Sequence, residues 1–213
     1  MRWILTMHIT NKIMERMKHF KELNRPYIIG IDGLSGAGKT TVTETITKEL
    51  TFEAHQLLVI HIDDLIEERA KRYNTGYPEW YEYYWLQWDV QGIKEKLFEA
   101  VHQRLSHLHL KFYDKENDRC YMKSINIEQC NVLVIEGVFL QRKEWKGFFD
   151  YMIYLDCPKN VRSERVLQRD TYIGNLNERL KKYERRYWAG EGYYFEEINP
   201  IQSADIVINS ESC

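Results

Sequence analysis

The chain has 213 residues, of which 44% are hydrophobic and 29% are charged, and its formal net charge is −2. This length fits one compact domain, and the composition is ordinary for a globular protein. Because neither half is strongly basic, the sequence excludes a general electrostatic surface for nucleic acid.

The first part of the chain shows one helical pattern and two strand-like runs. Apolar residues recur at helical spacing over residues 8–23, which predicts an amphipathic helix laid against the edge of the main sheet. Nearly continuous apolar runs at 27–32 and 57–62 predict short strands that are buried on both faces. A glycine-rich turn follows the first run, and we expect a helix over residues 40–50 after it.

The middle of the chain is rich in aromatic residues. Helical stretches are expected at about 65–73 and 90–105, with a dense aromatic cluster within residues 73–88. The cluster has two interpretations, either a part of the core or a wall that stacks on a flat or sugar-like ligand. Residues 108–113 and 120–125 are predicted to pair as a β-hairpin across a polar turn.

The last part of the chain alternates strands and helices. Apolar strands are predicted at 131–137, 151–156 and 204–209, and helices at 160–170 and 176–188. Five short apolar strands alternating with helices predict an α/β fold with a doubly wound, five-stranded parallel sheet. No repeat, low-complexity segment or linker divides the chain, so we expect a single domain.

The strongest functional signal is a glycine-rich run, GLSGAGKT at residues 33–40, which fits the pattern G-x-x-x-x-G-K-[ST] at every fixed position. Glycines let the backbone curl around phosphate oxygens at a helix N-terminus, where the dipole favours anions. Lys39 is expected to reach the β- and γ-phosphates of ATP, and the Thr40 hydroxyl to ligate Mg²⁺. The residues expected to bind ATP are Gly33, Ser35, Gly36, Ala37, Gly38, Lys39, Thr40 and Thr41.

Two carboxylates follow predicted strands. Asp63 comes directly after the strand at 57–62, and Glu136 closes the apolar run of the strand at 131–137. Ligands of open α/β sheets bind at the carboxyl ends of strands, so both acids are expected at the nucleotide site. One carboxylate should serve Mg²⁺, and the other should accept a proton from an attacking hydroxyl group. Asp64 is interpreted as a helix cap that turns Asp63 towards the site.

Three arginines follow the fourth strand at spacings of three and four residues. Arg162, Arg165 and Arg169 therefore share one face of the helix at 160–170. Phosphoryl transfer needs positive charge around the migrating group, which favours a lid role for at least one of them. The alternative is a solvated basic face. The charged helix at 176–188 is interpreted as a solvated face, a lid arm or a contact in a homo-oligomer.

These motifs, in this order, resemble the uridine kinase and phosphoribulokinase group of P-loop kinases, and the uridine-cytidine kinases most closely. The resemblance covers residues 28–209 and includes IDGLSGAGKTT, HIDDL, VLVIEGVFL, VRSERVLQRD and ADIVIN. It implies that Asp63 is the catalytic base, that Glu136 serves the Mg²⁺ site, and that the three arginines line a lid. It also implies a P-loop NTPase fold with a helical lid and a small β-hairpin flap.

The resemblance also implies an organisation and a set of acceptor-binding residues. Residues 1–213 would form one kinase domain, with the N-terminal helix at 8–23, an acceptor-binding insertion at about 73–125 and a lid at about 160–190. Trp88 and Asp89 resemble an aromatic-Asp pair whose Asp holds ribose hydroxyls, and Tyr113 resembles the Tyr before the nucleobase pocket. The hairpin turn has Asn117 and Asp118 where uridine kinases use a histidine.

The expected activity is ATP-dependent phosphorylation of a hydroxyl group on a small metabolite, a nucleoside or nucleoside-like compound. Nicotinamide riboside, pantothenate or another small alcohol are alternative acceptors, and a nucleotide-binding regulator without activity is a further alternative. A nucleoside monophosphate kinase would need a cation for the acceptor phosphate, for which Arg119 is the candidate. A GTPase is disfavoured because the Asn-Lys-x-Asp guanine motif is missing.

Location and further partners are predicted from what the sequence lacks. Cys120, Cys130, Cys157 and Cys213 form neither a CxxC pair nor a zinc pattern, which favours isolated thiols in a reducing compartment. No apolar stretch approaches the length of a membrane span. We therefore expect a cytoplasmic protein that binds a small-molecule substrate, without membrane or nucleic-acid partners.

Overall fold

The computed structural model describes residues 2–19, 24–52 and 55–209. Within these residues the strands form one five-stranded sheet and a separate two-stranded hairpin. In chain order the strands are β1 (Tyr27–Gly33), β2 (Leu57–His61), β3 (His107–Asp114), β4 (Arg119–Asn126), β5 (Val132–Gly137), β6 (Tyr151–Asp156) and β7 (Ile206–Asn209).

The five-stranded sheet is parallel throughout and has the order β2-β5-β1-β6-β7. This arrangement confirms the predicted doubly wound α/β fold. The central strands β1 and β5 are buried along their whole length because helices cover both faces of the sheet. Successive side chains point to opposite faces, so Ile28 joins the core on one side and Ile29 the core on the other.

Helices occupy most of the remaining described chain. Two π-helical segments, Lys94–Glu99 and Tyr183–Trp188, join shorter helices into continuous runs. In chain order the α-helices are α1 (Arg2–His19), α2 (Lys39–Phe52), α3 (Arg69–Arg72), α4 (Glu79–Trp85), α5 (Val90–Ile93), α6 (Ala100–His102), α7 (Lys159–Arg169), α8 (Leu176–Lys182), α9 (Ala189–Ile198) and α10 (Pro200–Ser203).

The N-terminal helix α1 starts earlier than predicted, at Arg2, and packs against α2. Ile9 and Ile13 are buried in the core layer on that side of the sheet. Arg16 reaches Asp205 just before the edge strand β7, with Nη1 and Oδ1 3.0 Å apart. Residues 20–23 of the predicted helix lie outside the described residues.

The helix predicted at 65–73 is replaced by shorter elements. A 3₁₀ turn over Ile62–Leu65 precedes α3, and the chain between them is extended. The extended stretch pairs with the end of the aromatic segment, because Ile66 bridges to Trp88 and the Glu67 N–H donates to the Gln87 carbonyl at 2.9 Å. Tertiary pairing therefore overrides the local helical pattern.

The aromatic segment forms α4, a helix that the sequence analysis did not predict. Tyr83, Tyr84 and Trp88 are buried in the core beside α9, so this part of the cluster is core.

The helix predicted at 176–188 continues through the second π-helical segment and α9 to Ile198, and Asn199 ends it in the left-handed region at φ 47°. None of the described helices is both long and apolar enough to cross a membrane.

Candidate active site

The glycine-rich loop joins the end of β1 to the start of α2. Gly36 and Gly38 have φ values of 80° and 93°, which L side chains rarely adopt. A Cβ atom on Gly36 would also lie 2.8 Å from the Arg162 carbonyl oxygen. The Lys39 ammonium donates to the Leu34 carbonyl at 3.3 Å and so folds over the loop. The loop thus brings two glycines in the left-handed region and an ammonium group to the N-terminus of α2, an arrangement that fits the phosphates of a nucleotide.

A buried acid lies directly beneath this loop. Asp32 is fully buried at the end of β1 and accepts hydrogen bonds from the Gly33 N–H at 2.8 Å, the Gln141 amide at 3.1 Å and the Tyr194 hydroxyl. Desolvation raises the pKa of Asp32, and these hydrogen bonds and Lys39 oppose that rise. Sequence reasoning missed Asp32, although an acid inside an otherwise apolar run was a usable signal.

The first residues of the loop are braced by a buried ion pair. Arg162 and Glu191 lie 2.9 Å apart, and both are buried. Glu191 accepts the Ser35 N–H at 2.9 Å, and Arg162 donates to the Ser35 carbonyl at 3.2 Å. Glu191 was not predicted, because only the fold brings α9 against a loop 156 residues earlier.

The three predicted lid arginines therefore separate into two groups. Arg162 and Arg165 hold the backbone of the loop, and Arg165 donates to the Gly36 carbonyl at 3.1 Å. Arg169 lines the open cleft above the loop and forms a 2.6 Å ion pair with Asp170. The face that carries Arg162 packs on the loop. Of these three arginines, Arg169 is the one that lines the cleft.

Asp63 lies in the 3₁₀ turn after β2 and lines the same cleft. Its side chain is open to the cleft, and desolvation by the cleft walls raises its pKa. Lys39 opposes this rise, Glu136 adds to it, and Arg169 opposes it more weakly. The fold thus brings Lys39, Glu136 and Arg169 within electrostatic reach of Asp63.

Glu136 at the end of β5 has a partner that the sequence analysis did not identify. The parallel register places it beside His61 at the end of β2, and His61 Nδ1 lies 2.6 Å from Glu136 Oε2. The hydrogen bond to Glu136 raises the pKa of His61. The HIDDL motif contained this histidine, but strand register alone reveals its contact.

A cleft of about 1330 Å³ opens from the loop towards the hairpin. Ser35, Asp63 and Arg169 lie in its walls, which join the loop, the turn after β2 and the lid region. The cleft is rich in tyrosines, which come from the aromatic segment, the hairpin and the lid region: Tyr73, Tyr77, Tyr83, Tyr113, Tyr172, Tyr183 and Tyr187.

The predicted acceptor-binding residues are placed in different surroundings. Tyr113 lines the cleft, whereas Trp88 is buried in the core and donates its indole N–H to the Ile62 carbonyl at 2.9 Å. Asp89 caps α5 by accepting the Gly92 N–H at 2.9 Å and does not line the cleft. Arg119 lies outside the cleft, where it pairs with Asp114. The aromatic-Asp resemblance therefore does not place Trp88 or Asp89 beside an acceptor in this cleft.

A metal ion at this site would depend on the nucleotide for much of its coordination. Across residues 2–19, 24–52 and 55–209, no three His, Cys, Asp or Glu side chains are grouped to hold one. Thr40 is exposed in the first turn of α2, and Glu136 stands at the carboxyl end of β5. A hydroxyl, a carboxylate and phosphate oxygens suit Mg²⁺, which is usually bound by few protein ligands. Thr41 is also exposed in this turn.

Comparison with known proteins agrees with this geometry. The family model described as an AAA domain matches residues 29–181. A uridine kinase from Staphylococcus haemolyticus is 32% identical over 151 residues, which cover 68% of each chain. A uridine kinase from Bacillus subtilis is 28% identical over 160 residues, which cover 72% of this chain and 69% of that protein.

Solved structures extend the likeness over nearly the whole chain. The structure of a possible uridine kinase from Bacillus stearothermophilus is 37% identical and superposes with a TM-score of 0.74. The match covers 93% of this chain and all of the other. A D-glycerate 3-kinase from Cryptococcus neoformans shares the fold, with a TM-score of 0.61 at 10% identity over 92% of this chain and 88% of that protein.

Proposed function

This chain belongs to the uridine kinase-like family of P-loop kinases, and we propose that it uses Mg-ATP to phosphorylate a hydroxyl group of a nucleoside or nucleoside-like compound. As a member of this family it is a small-molecule phosphotransferase. The observation that carries the proposal is the placement of Asp63 in the wall of the cleft, within electrostatic reach of Lys39 and Glu136.

In the proposed mechanism the loop at 33–40 binds the phosphates of ATP through backbone N–H groups and Lys39. Thr40 and Glu136 would hold Mg²⁺, which neutralises phosphate charge and orients the nucleotide when it is bound. Thr41, in the first turn of α2, would help to bind the phosphates. The buried Arg162–Glu191 pair and Arg165 keep the loop in shape before the nucleotide arrives.

Asp63 would accept the proton of the acceptor hydroxyl. The acceptor oxygen then forms a bond to the γ-phosphorus while the bond from that phosphorus to the β,γ-bridging oxygen breaks, and ADP leaves. Arg169 faces the cleft and would neutralise charge on the migrating group. Residues 73–125 would bind the acceptor and residues 160–190 would close over it, which excludes water and limits ATP hydrolysis.

The test is Mg-ATP turnover against uridine, cytidine, nicotinamide riboside, pantothenate and sugar alcohols, with Asp63→Asn as the control. Transfer to uridine or cytidine that is lost in the variant supports a nucleoside kinase without the hairpin histidine. Transfer to another alcohol supports the same mechanism with a different acceptor. ATP binding without transfer to any acceptor would instead favour a regulatory nucleotide-binding protein.

A further inference from the structure

One arginine in the cleft differs from the other buried arginines. Among the described residues, the buried arginines are Arg72, Arg142, Arg162 and Arg186. Three of them have a carboxylate partner: Arg142 pairs with Glu144, Arg162 with Glu191 and Arg186 with Glu82, at 2.9–3.0 Å. For Arg72, no carboxylate oxygen of the described residues lies within 4.0 Å of a guanidinium nitrogen. Arg72 lines the cleft, and a guanidinium that opens on a cleft without a counter-charge is placed to bind an anion.

The Arg72 side chain is fixed in place by its neighbours. It is 6% exposed, and its Nε donates to the Glu67 carbonyl at 2.6 Å. The guanidinium carbon lies 5.0 Å from the ring centre of Tyr73 and 5.1 Å from that of Tyr113. All three residues line the cleft. The contacts hold the group between two aromatic rings and leave its two terminal nitrogens without a hydrogen-bond partner among the described residues.

An acidic side chain that interacts electrostatically with Arg72 is already engaged. Asp118, in the hairpin turn, interacts electrostatically with Arg72, but its carboxylate oxygens lie more than 4.0 Å from the guanidinium nitrogens. Its carboxylate accepts the Arg69 N–H at 3.0 Å and the Tyr113 hydroxyl at 2.9 Å. Asp118 therefore positions α3 and Tyr113 around Arg72 and does not neutralise it.

The surrounding cleft has more cations without a carboxylate partner. Arg169 and Arg185, which also line it, pair with Asp170 and Glu79. Within the described chain, other cations of the cleft have no carboxylate oxygen within 4.0 Å: Arg69, Lys115, Lys181 and Lys182. Lys115 lies in the stretch assigned above to the acceptor, and Lys181 and Lys182 lie in the stretch assigned to the lid. Arg69 belongs to α3, directly before the acceptor stretch.

We propose that Arg72, between Tyr73 and Tyr113, is an anion subsite, and that the acceptor therefore carries a phosphate or carboxylate group besides the hydroxyl that is phosphorylated. This inference rests on the proposed function and, within it, favours a nucleoside-like compound that carries an anionic group over a neutral nucleoside. A guanidinium fork is suited to bind either anion through two parallel hydrogen bonds. A neutral nucleoside would leave the charge of Arg72 uncompensated.

The experiment measures anion binding with the phosphate loop already filled. Wild-type protein is saturated with Mg²⁺ and β,γ-methylene-ATP and is then titrated by calorimetry with orthophosphate, with malonate and with neutral ribose. We expect one or both anions to bind and ribose to bind more weakly. The anion that binds more tightly shows whether the anionic group of the acceptor is a phosphate or a carboxylate. Arg72→Gln should weaken anion binding about 10-fold or more, the range for loss of a charged hydrogen bond.

Arg185→Gln is the matched control, because it removes a positive charge from the same cleft at an exposed side chain that already has a carboxylate partner. Its anion affinity should stay near that of the wild type. Equal anion affinity in wild type and Arg72→Gln would overturn the proposal. The proposal would also be overturned if Arg72→Gln bound the ATP analogue more weakly than wild type but bound the anions equally well, because Arg72 would then contact ATP.

A second measurement tests the acceptor directly. Turnover is compared for pairs of alcohols that differ in one anionic group, such as ribose with ribose 5-phosphate and glycerol with glycerate. The anionic member should be preferred, and Arg72→Gln should raise its KM with little change in kcat. If wild-type protein does not bind the ATP analogue, the proposed function is wrong, and this result alone does not test the anion subsite. The anion titration repeated on nucleotide-free Lys39→Ala protein would then still decide the subsite.

Discussion

His61 and Glu136 end neighbouring parallel strands, and their side chains meet with Nδ1 and Oε2 2.6 Å apart. Glu136 is the carboxylate assigned to Mg²⁺, so His61 is placed to fix its orientation, as second-layer partners of metal ligands do. Glu136 uses one oxygen for this contact. Its other oxygen has no hydrogen-bond partner among the described residues.

Replacing His61 should therefore weaken the response to Mg²⁺. For His61→Ala we expect the Mg²⁺ concentration at half-maximal turnover to rise about 10-fold, the lower end of the usual effect of such partners. Turnover at saturating Mg²⁺ should fall less. The measurement is a Mg²⁺ titration at fixed ATP, with the exposed His107→Ala as the control. An unchanged Mg²⁺ requirement in His61→Ala would remove the positioning role.

Asp63→Asn tests the assignment of the catalytic base. The amide keeps the shape of the side chain but cannot accept the acceptor proton, and a positioned base usually contributes about 10²–10⁴-fold. We expect kcat to fall by that factor while β,γ-methylene-ATP binds as in wild type. Steady-state kinetics measure kcat, and calorimetry measures the affinity for the ATP analogue. A variant that retains its kcat would show that another group takes the proton.

Gly36→Ala tests the geometry of the phosphate loop. The added Cβ would lie 2.8 Å from the Arg162 carbonyl at a φ of 80°, so the loop must move. We expect loss of nucleotide binding and a stability cost of about 1–3 kcal/mol. Gly192→Ala is the control, because a Cβ there meets nothing within 4 Å and a helical Gly→Ala change stabilises by about 0.5–1 kcal/mol. Normal nucleotide binding by Gly36→Ala would contradict the proposed cradle.

These sites show which features the sequence could predict. The strands β1 and β5 and the loop between β1 and α2 follow from local patterns, an apolar run and a fixed spacing of glycines. Asp63 and Glu136 followed from the rule that strand ends meet. In contrast, Glu191, Tyr194 and Gln141 act on the loop and on Asp32 from 109 to 162 residues away. No local pattern encodes such contacts.

The same reasoning explains why Arg162, Trp88 and Asp89 have contacts that the sequence did not indicate. Helical spacing correctly placed Arg162 on one face with Arg165, but it did not show that this face packs on the phosphate loop. The resemblance to an aromatic-Asp pair places Trp88 near the acceptor, whereas its bridge to Ile66 carries it into the core. For Asp89, helix capping and sugar binding use the same residue type, and the structure shows the capping contact with Gly92.

Glu191→Gln should destabilise the fold strongly, because it leaves Arg162 buried without its counter-charge. Breaking a buried pair costs about 3–5 kcal/mol, and urea unfolding measures it. The control is Glu197→Gln, which removes the partner of Lys143 from an exposed pair at 2.7 Å. Exposed pairs contribute at most about 1 kcal/mol. Similar losses in the two variants would mean that the buried pair is not a brace of the loop.

Asp170, which is not one of the residues assigned to Mg²⁺, gives a prediction of how the stability of the fold depends on pH. Desolvation acts to raise its pKa, but hydrogen bonds from Arg169 and the Tyr183 hydroxyl outweigh it, so the folded-state pKa lies below the ordinary value. A carboxylate with a depressed pKa stabilises the fold above its unfolded-state pKa, and this stability is lost as the pH falls through the folded-state pKa. Asp170→Asn should therefore cost about 1–3 kcal/mol at pH 7.

The difference between wild type and Asp170→Asn should shrink as the pH falls below about 4, where the unfolded carboxyl begins to bind its proton. Urea unfolding of both proteins from pH 7 to pH 3 measures this change. Tyr183→Phe is the companion variant, because it removes one hydrogen bond and keeps the ring, so its loss should be smaller and should follow the same pH trend. A stability difference for Asp170→Asn that stays constant across this range would mean that the carboxylate charge is not what stabilises this position.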